Sequence, residues 1–217
     1  MTSDDDLIQA LSRNLQAVAP PARIDHIWLG WLVLSAAFVV GVIHLMGPVR
    51  DSSLDQLLSG GRFTFETVLG ITAFIAGSLA AFRSAVPGGL SRWLARIAVG
   101  LLLAWIGFYL FGLYSPALEP SMAGKRDRCV WETFVYAAPP MLVAIGLIRR
   151  YCPLQPFRTA MAAGIVAGML PALYMQLACM YVPAHILSFH ILPGLLVGPA
   201  AVGVAWVWQF AVARRSQ

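Results

Sequence analysis

Six apolar runs of about 20 residues each, near 27–47, 64–82, 94–114, 129–148, 159–179 and 186–210, take up almost the whole chain. A run of that length is long enough to cross a hydrocarbon core roughly 30 Å thick as a helix. Little chain is left over for a soluble domain, and 59% hydrophobic against 12% charged residues lies far outside the range of soluble domains. The expected fold is all-α: a polytopic membrane protein built as a six-transmembrane-helix bundle, preceded by a short cytoplasmic amphipathic helix. Residues 1–24 and 25–217 form the two expected units, and the lipid bilayer is the solvent of the second. The first run starts well inside the chain, is followed by further spans and has no small-residue cleavage site, so it reads as a span and not as a signal peptide.

The net charge of +5 does not point to nucleic acid. The cations stand singly or in pairs at span ends, where they set topology. One side holds Arg13, Arg23, Arg83, Arg92, Arg96, Arg149, Arg150, Arg158, Arg214 and Arg215; the other holds Arg50, Arg62, Lys125, Arg126 and Arg128. Ten against five places both termini in the cytoplasm. The loop from Arg50 to Arg62, polar and closed by Gly60-Gly61, reads as a short exposed turn.

Ahead of the first span, Ser3 precedes Asp4, Asp5 and Asp6, an arrangement that caps a helix and suits the positive end of its dipole. Leu7, Ile8, Leu11, Leu15 and Val18 then recur at helical spacing before Ala19-Pro20-Pro21. Helices that lie on membranes favour basic polar faces. An acidic start with an apolar stripe instead suits a groove on a basic protein partner.

The later spans differ from the first three. Pro139-Pro140 interrupts span 4, and Pro171 interrupts span 5, whose Gly164-x-x-x-Gly168 permits close backbone approach. Cys129 opens span 4 and Cys179 closes span 5, so the two lie at the outer face, with Cys152 in the inner loop between them. A short inner loop makes those spans antiparallel neighbours and brings Cys129 near Cys179. Two such thiols can form a disulfide or hold a soft metal ion. Glu132, three residues after Cys129, His185 and His190 at the start of span 6 and His44 at the end of span 1 stand at the same level. The candidate donor set for a thiophilic metal is therefore Cys129, Cys179, Glu132, His185 and His44. No cofactor is obligatory, and no nucleotide loop, nucleophile elbow or protease motif appears, so an enzyme is not expected.

Asp5-Asp6-Leu7-Ile8-Gln9-Ala10-Leu11, six spans, Cys129 at the head of span 4 and Cys179 before an aromatic, proline-containing entry to span 6 together resemble the NrsF family. That resemblance implies an anti-sigma factor of the bacterial inner membrane that holds an extracytoplasmic-function sigma factor until stress is sensed. It implies that Asp5, Asp6, Leu7, Ile8, Leu11 and Leu15 belong to the sigma-binding segment, and that Cys129 and Cys179 sense heavy metals or oxidants. Relatives carry a His-Cys-Pro-Glu-like run at the second cysteine where this chain has Ala178-Cys179-Met180-Tyr181. Two other classes compete. A small metal transporter needs polar residues at mid-membrane, whereas Gln176, Glu66 and Glu132 stand near one surface. A thiol-disulfide membrane oxidoreductase would carry a C-x-x-C pair and a second thiol pair.

Overall fold

The computed structural model describes Gln9, residues 23–59 and residues 61–215. In chain order the helices are α1 (Ile24–Met46), α2 (Ser53–Leu58), α3 (Arg62–Arg83), α4 (Arg92–Gly112), α5 (Cys129–Arg149), α6 (Pro156–Ala178) and α7 (Pro183–Ile186). A π turn (Leu187–Ile191) then leads into α8 (Leu192–Arg215). Six helical rods are long and apolar enough to cross a membrane, the last formed by α7, the π turn and the body of α8. The expected amphipathic helix and its sigma-binding residues Asp5, Asp6, Leu7, Ile8, Leu11 and Leu15 lie outside the described residues.

Local chemistry sets the helix starts. Ser91 accepts a hydrogen bond from the Leu94 amide at 3.1 Å and so caps α4. Pro156 and Pro183 stand in the first turns of α6 and α7, where the missing N–H costs nothing. The Pro139-Pro140 pair and Pro171 lie inside α5 and α6.

The bundle is built round α6, the most buried of the six rods. It packs against α8, α5, α3 and α1, while α4 lies outside against α3. Side-chain size explains the tightest of these contacts. A Cβ on Gly168 would overlap the Gly194 carbonyl, and one on Gly164 would press on Val197 and Ala201. The two backbones therefore touch, as the glycine spacing predicts. Outward faces are apolar: Leu34 is 73% and Leu103 63% exposed, the reverse of a soluble surface.

Polar contacts tie the rods together at both ends. At one end Asp25 and Arg83 form a two-pronged ion pair at 3.0 and 3.2 Å, and Arg149 lies over the Trp208 ring. Deeper in, the Trp31 indole donates to the Pro140 carbonyl at 2.9 Å, joining α1 to α5 at the proline pair. At the other end the segment after α1 departs from the expected exposed turn. Ser53–Leu58 is helical and Arg50 is buried. The Arg50 amide donates to the Ala178 carbonyl at 2.9 Å, and its guanidinium lies over the rings of Phe63 and Tyr181. A polar residue between spans was read as solvated; here the aromatic rings hold it inside.

Candidate metal centre

Cys129 is the first residue of α5 and Cys179 directly follows α6. Antiparallel packing of those helices brings their sulfurs to 3.6 Å. His185, on the one-turn helix α7, approaches from the next segment, its Nε2 lying 3.7 Å from the Cys179 sulfur. His190, inside the π turn, closes the group. One donor atom from each of the four residues lies within 4.8 Å of all the others. In a tetrahedral site with metal–ligand bonds of about 2.0–2.3 Å, ligand atoms stand about 3.3–3.8 Å apart. Two edges of that tetrahedron are already present.

The π turn is what recruits His190. Residues five apart on an α-helix diverge by about 140°, so His185 and His190 would face different neighbours. In the π turn the Leu192 amide reaches back five residues to the Leu187 carbonyl, which widens the coil and brings the two imidazoles to a centroid separation of 5.0 Å, edge to face. Pro193 supplies the local cause: it has no N–H for the Phe189 carbonyl four residues earlier. The Thr133 hydroxyl lies 3.4 Å from that carbonyl, at the α5 side of the site. His190 is fully buried, and neither ring nitrogen has a hydrogen-bond partner. A buried imidazole without partners is costly, and a metal bond would satisfy it.

The structure brings together three of the five expected donors and leaves two elsewhere. His44 is exposed and meets the Tyr174 hydroxyl at 2.6 Å, so it is not in the donor group. Glu132 shares the helix end with Cys129, but its carboxylate is taken by Arg126 at 2.8 Å. Arg126 also donates to the Pro48 carbonyl at 3.0 Å and to the Ile43 carbonyl at 2.6 Å, near the open C-terminal end of α1. The glutamate therefore clamps the loop before α5 and does not face the sulfurs. His190 takes the place of both. The sequence put it at the right level, but the turn of the helix that aims it inward has no signal except Pro193-Gly194. Cys152 is exposed at the far end of the bundle, beyond α5.

Residues 113–128 cover the site. Ser121 pairs with Tyr181 backbone to backbone at 3.0 Å. Gly124, with φ of +77°, lies so close to the Ala178 carbonyl that a Cβ would stand 2.7 Å away. Cys129 is 3% exposed and Cys179 0%. A hydrogen bond from Cys129, with further help from His185 and His190, draws the Cys179 thiol below its ordinary pKa against the opposing effect of burial. Burial lowers the pKa of Arg50, an effect opposed first by the Cys179 sulfur. Burial and the Glu66 carboxylate push the Tyr181 phenol up to about 12, so it stays a donor to Glu66 at 3.4 Å. Glu66 in turn pairs with Arg62 at 2.9 Å.

A second set of polar contacts leads from the site into the bundle. Arg50 donates to the Gln176 carbonyl at 3.3 Å. The Gln176 side chain donates to Thr67 of α3 at 3.0 Å and accepts from Tyr109 of α4. Gln176 and Glu66 are buried and hydrogen-bonded close to the thiol end.

A family model for negative regulators of sigma F, NrsF, matches residues 11–211 of this chain. The chain belongs to the NrsF family. That family is one of negative regulators of a sigma factor. The probable anti-sigma-F factor NrsF of Azospira oryzae is 27% identical to this NrsF-family chain over 208 residues, 92% of this chain and 94% of the relative. The carotenogenesis protein CarR of Myxococcus xanthus is 28% identical over 144 residues, 65% of this chain and 63% of the relative. No solved structure matches the chain.

Proposed function

We propose that this NrsF-family chain is an inner-membrane anti-sigma factor that senses soft metals or oxidants at its outer face. It spans the membrane six times with both termini in the cytoplasm. Residues 1–24, through Asp5, Asp6, Leu7, Ile8, Leu11 and Leu15, hold an extracytoplasmic-function sigma factor. Capture of a thiophilic cation by Cys129, Cys179, His185 and His190 releases it. The observation that carries this reading is the four-donor cluster itself: two thiols and two imidazoles from four separate positions, gathered within 4.8 Å, three of them buried and His185 half-buried.

Soft sulfur and borderline nitrogen donors favour zinc, cadmium or copper(I) over hard cations. Binding would draw α5, the end of α6 and α7 toward one ion and move the Gln176 contacts below them. Oxidation is the second input. From 3.6 Å the sulfurs need only approach by a side-chain rotation and a small backbone shift to reach a bond of about 2.05 Å. Transport and dithiol exchange are less well supported: the buried polar residues Gln176, Thr67 and Tyr109 stand near the thiol end and are satisfied by one another, and no third outer thiol stands beside the pair to pass electrons on.

The test is co-expression with the sigma factor of the same host, recovery of the complex from membranes, and treatment with cadmium. The native chain should lose the sigma factor, while the Cys129→Ser, Cys179→Ser double variant keeps it. Release from the double variant equal to that from the native chain would put the sensor elsewhere.

A further inference from the structure

At the end of the bundle opposite the thiols, α3, α4 and α6 part to leave a groove of about 700 Å³. It lies within the range of about 300–1,000 Å³ that receives one ligand-sized guest. Small residues make the space: Gly77 on α3, Ala98 on α4 and Ala162 on α6 recess the walls, and Met169 lines the groove further along α6. Along α3 the groove runs from Ala73 to Ser84, about 16 Å at 1.5 Å per residue. Its walls are apolar and its mouth is not. Ser84 and Thr159 meet there at 3.2 Å, and Arg158 stands at the rim holding the Gln155 amide oxygen at 2.9 Å.

Among the described residues Arg158 has no carboxylate partner, the ion pairs there being Arg62–Glu66, Arg83–Asp25 and Arg126–Glu132. Among the described residues no acidic side chain lines the groove. A deep apolar slot with one unpaired cation and hydroxyls at its mouth matches a lipid whose acyl chain fills the slot and whose phosphate meets the guanidinium. The ammonium of a zwitterionic headgroup would find no anion there. We propose that this groove is a binding site for one anionic phospholipid of the cytoplasmic leaflet, of the phosphatidylglycerol type, with its phosphate on Arg158. The proposal rests on the membrane orientation given above, which places this end in the inner leaflet.

The full-length chain, extracted from membranes and placed in nanodiscs of mixed phosphatidylethanolamine and phosphatidylglycerol, is analysed for lipid retained on release into native mass spectrometry. The native chain should keep one phosphatidylglycerol. Loss of one interfacial cation in Arg158→Gln should reduce retention about fivefold, and Ala162→Phe, which fills the slot, should abolish it. Equal retention of both lipids, retention indifferent to both variants, or a photo-crosslink from position 162 to residues 1–22 or to a second copy would overturn the proposal. Labelling of the exposed Cys152 with a membrane-impermeant maleimide separates the two failures: labelling in intact spheroplasts sinks the orientation as well, whereas labelling only after lysis, with no retained lipid, sinks the lipid site alone.

Discussion

Arg50 and Arg126 are both buried cations at the thiol end, and they differ in one respect that decides what their loss should do. Arg126 has a carboxylate and two carbonyls; Arg50 has one carbonyl and two aromatic faces, with Nε and Nη1 unbonded. Removing one partner of a buried pair leaves the other uncompensated. Arg126→Ala should therefore cost about 3 kcal/mol, read as thermal unfolding in detergent, whereas Glu132→Gln keeps a hydrogen-bond acceptor and should cost clearly less. Equal losses would mean that the carboxylate charge, and not a hydrogen-bond acceptor alone, is what Arg126 is there to meet. At Arg50 the desolvation penalty has no ion pair to offset it, so Arg50→Met is expected to leave the melting temperature unchanged or to raise it. A drop of more than about 2 kcal/mol would show that the ring contacts and the Gln176 bond outweigh the burial cost.

The same residues show what could be read from sequence. The cysteine pair was legible because topology alone fixes it: one thiol opens a span, the other closes its neighbour. The fate of Glu132 and His44 was not, since it depends on which side chain reaches them from outside their own helices. Arg126 arrives from an irregular loop and Tyr174 from α6, and neither contact leaves a periodic trace.

At the level of elements, the contact between α6 and α8 and the π turn are the two features most open to test. Gly168→Leu must push α8 away at Gly194 and should destabilise by about 1–3 kcal/mol. Gly203→Ala, with nothing within 4 Å of its added carbon, should be silent or slightly favourable. Matching gains at the two positions would show that helix propensity, and not the crossing, governs the effect. Pro193→Ala restores an N–H opposite the Phe189 carbonyl, which should tighten the π turn to an ordinary helix and rotate His190 away from the sulfurs. Zinc or cadmium affinity, measured by competition with a chelating dye, should fall about tenfold or more, with thermal stability kept. Unchanged affinity would exclude His190 as a ligand. Element positions were the easiest part to foresee, since apolar runs of membrane length state their own limits to within a few residues. The short helix α2 was missed because six residues between two spans carry too little pattern to separate a turn from a helix.

Considered as a whole, the bundle gives α6 contact with most of its neighbours, and α6 carries Cys179 at one end and the wall of the lipid groove at the other. Gln176 is the residue through which a change at the thiols would be felt by α3 and α4. Gln176→Leu should leave metal binding nearly intact and blunt sigma-factor release by cadmium, measured as sigma factor remaining with the membrane complex. The Thr67 hydroxyl keeps its bond to the Phe63 carbonyl, and the cost of the Tyr109 hydroxyl left unpaired, about 1–3 kcal/mol, should appear separately as a lower melting temperature. Release at native levels would show that the signal reaches the cytoplasmic side by another route, such as the direct contact of α5 with α8.

The cover formed by residues 113–128 has a kinetic consequence. On the proposed reading, with both sulfurs shut from solvent, an arriving ion would meet the half-buried His185 first and would reach the sulfurs only once the cover pinned by the Ser121–Tyr181 pairing and the Gly124 contact gives way. Capture speed should then rise with concentration only until it equals the frequency of that opening, and level off beyond it. A sensor built this way would measure duration as well as amount: a pulse shorter than the opening time would be recorded only by the few molecules that open during it, however concentrated, while a modest exposure that persists would be answered by nearly all.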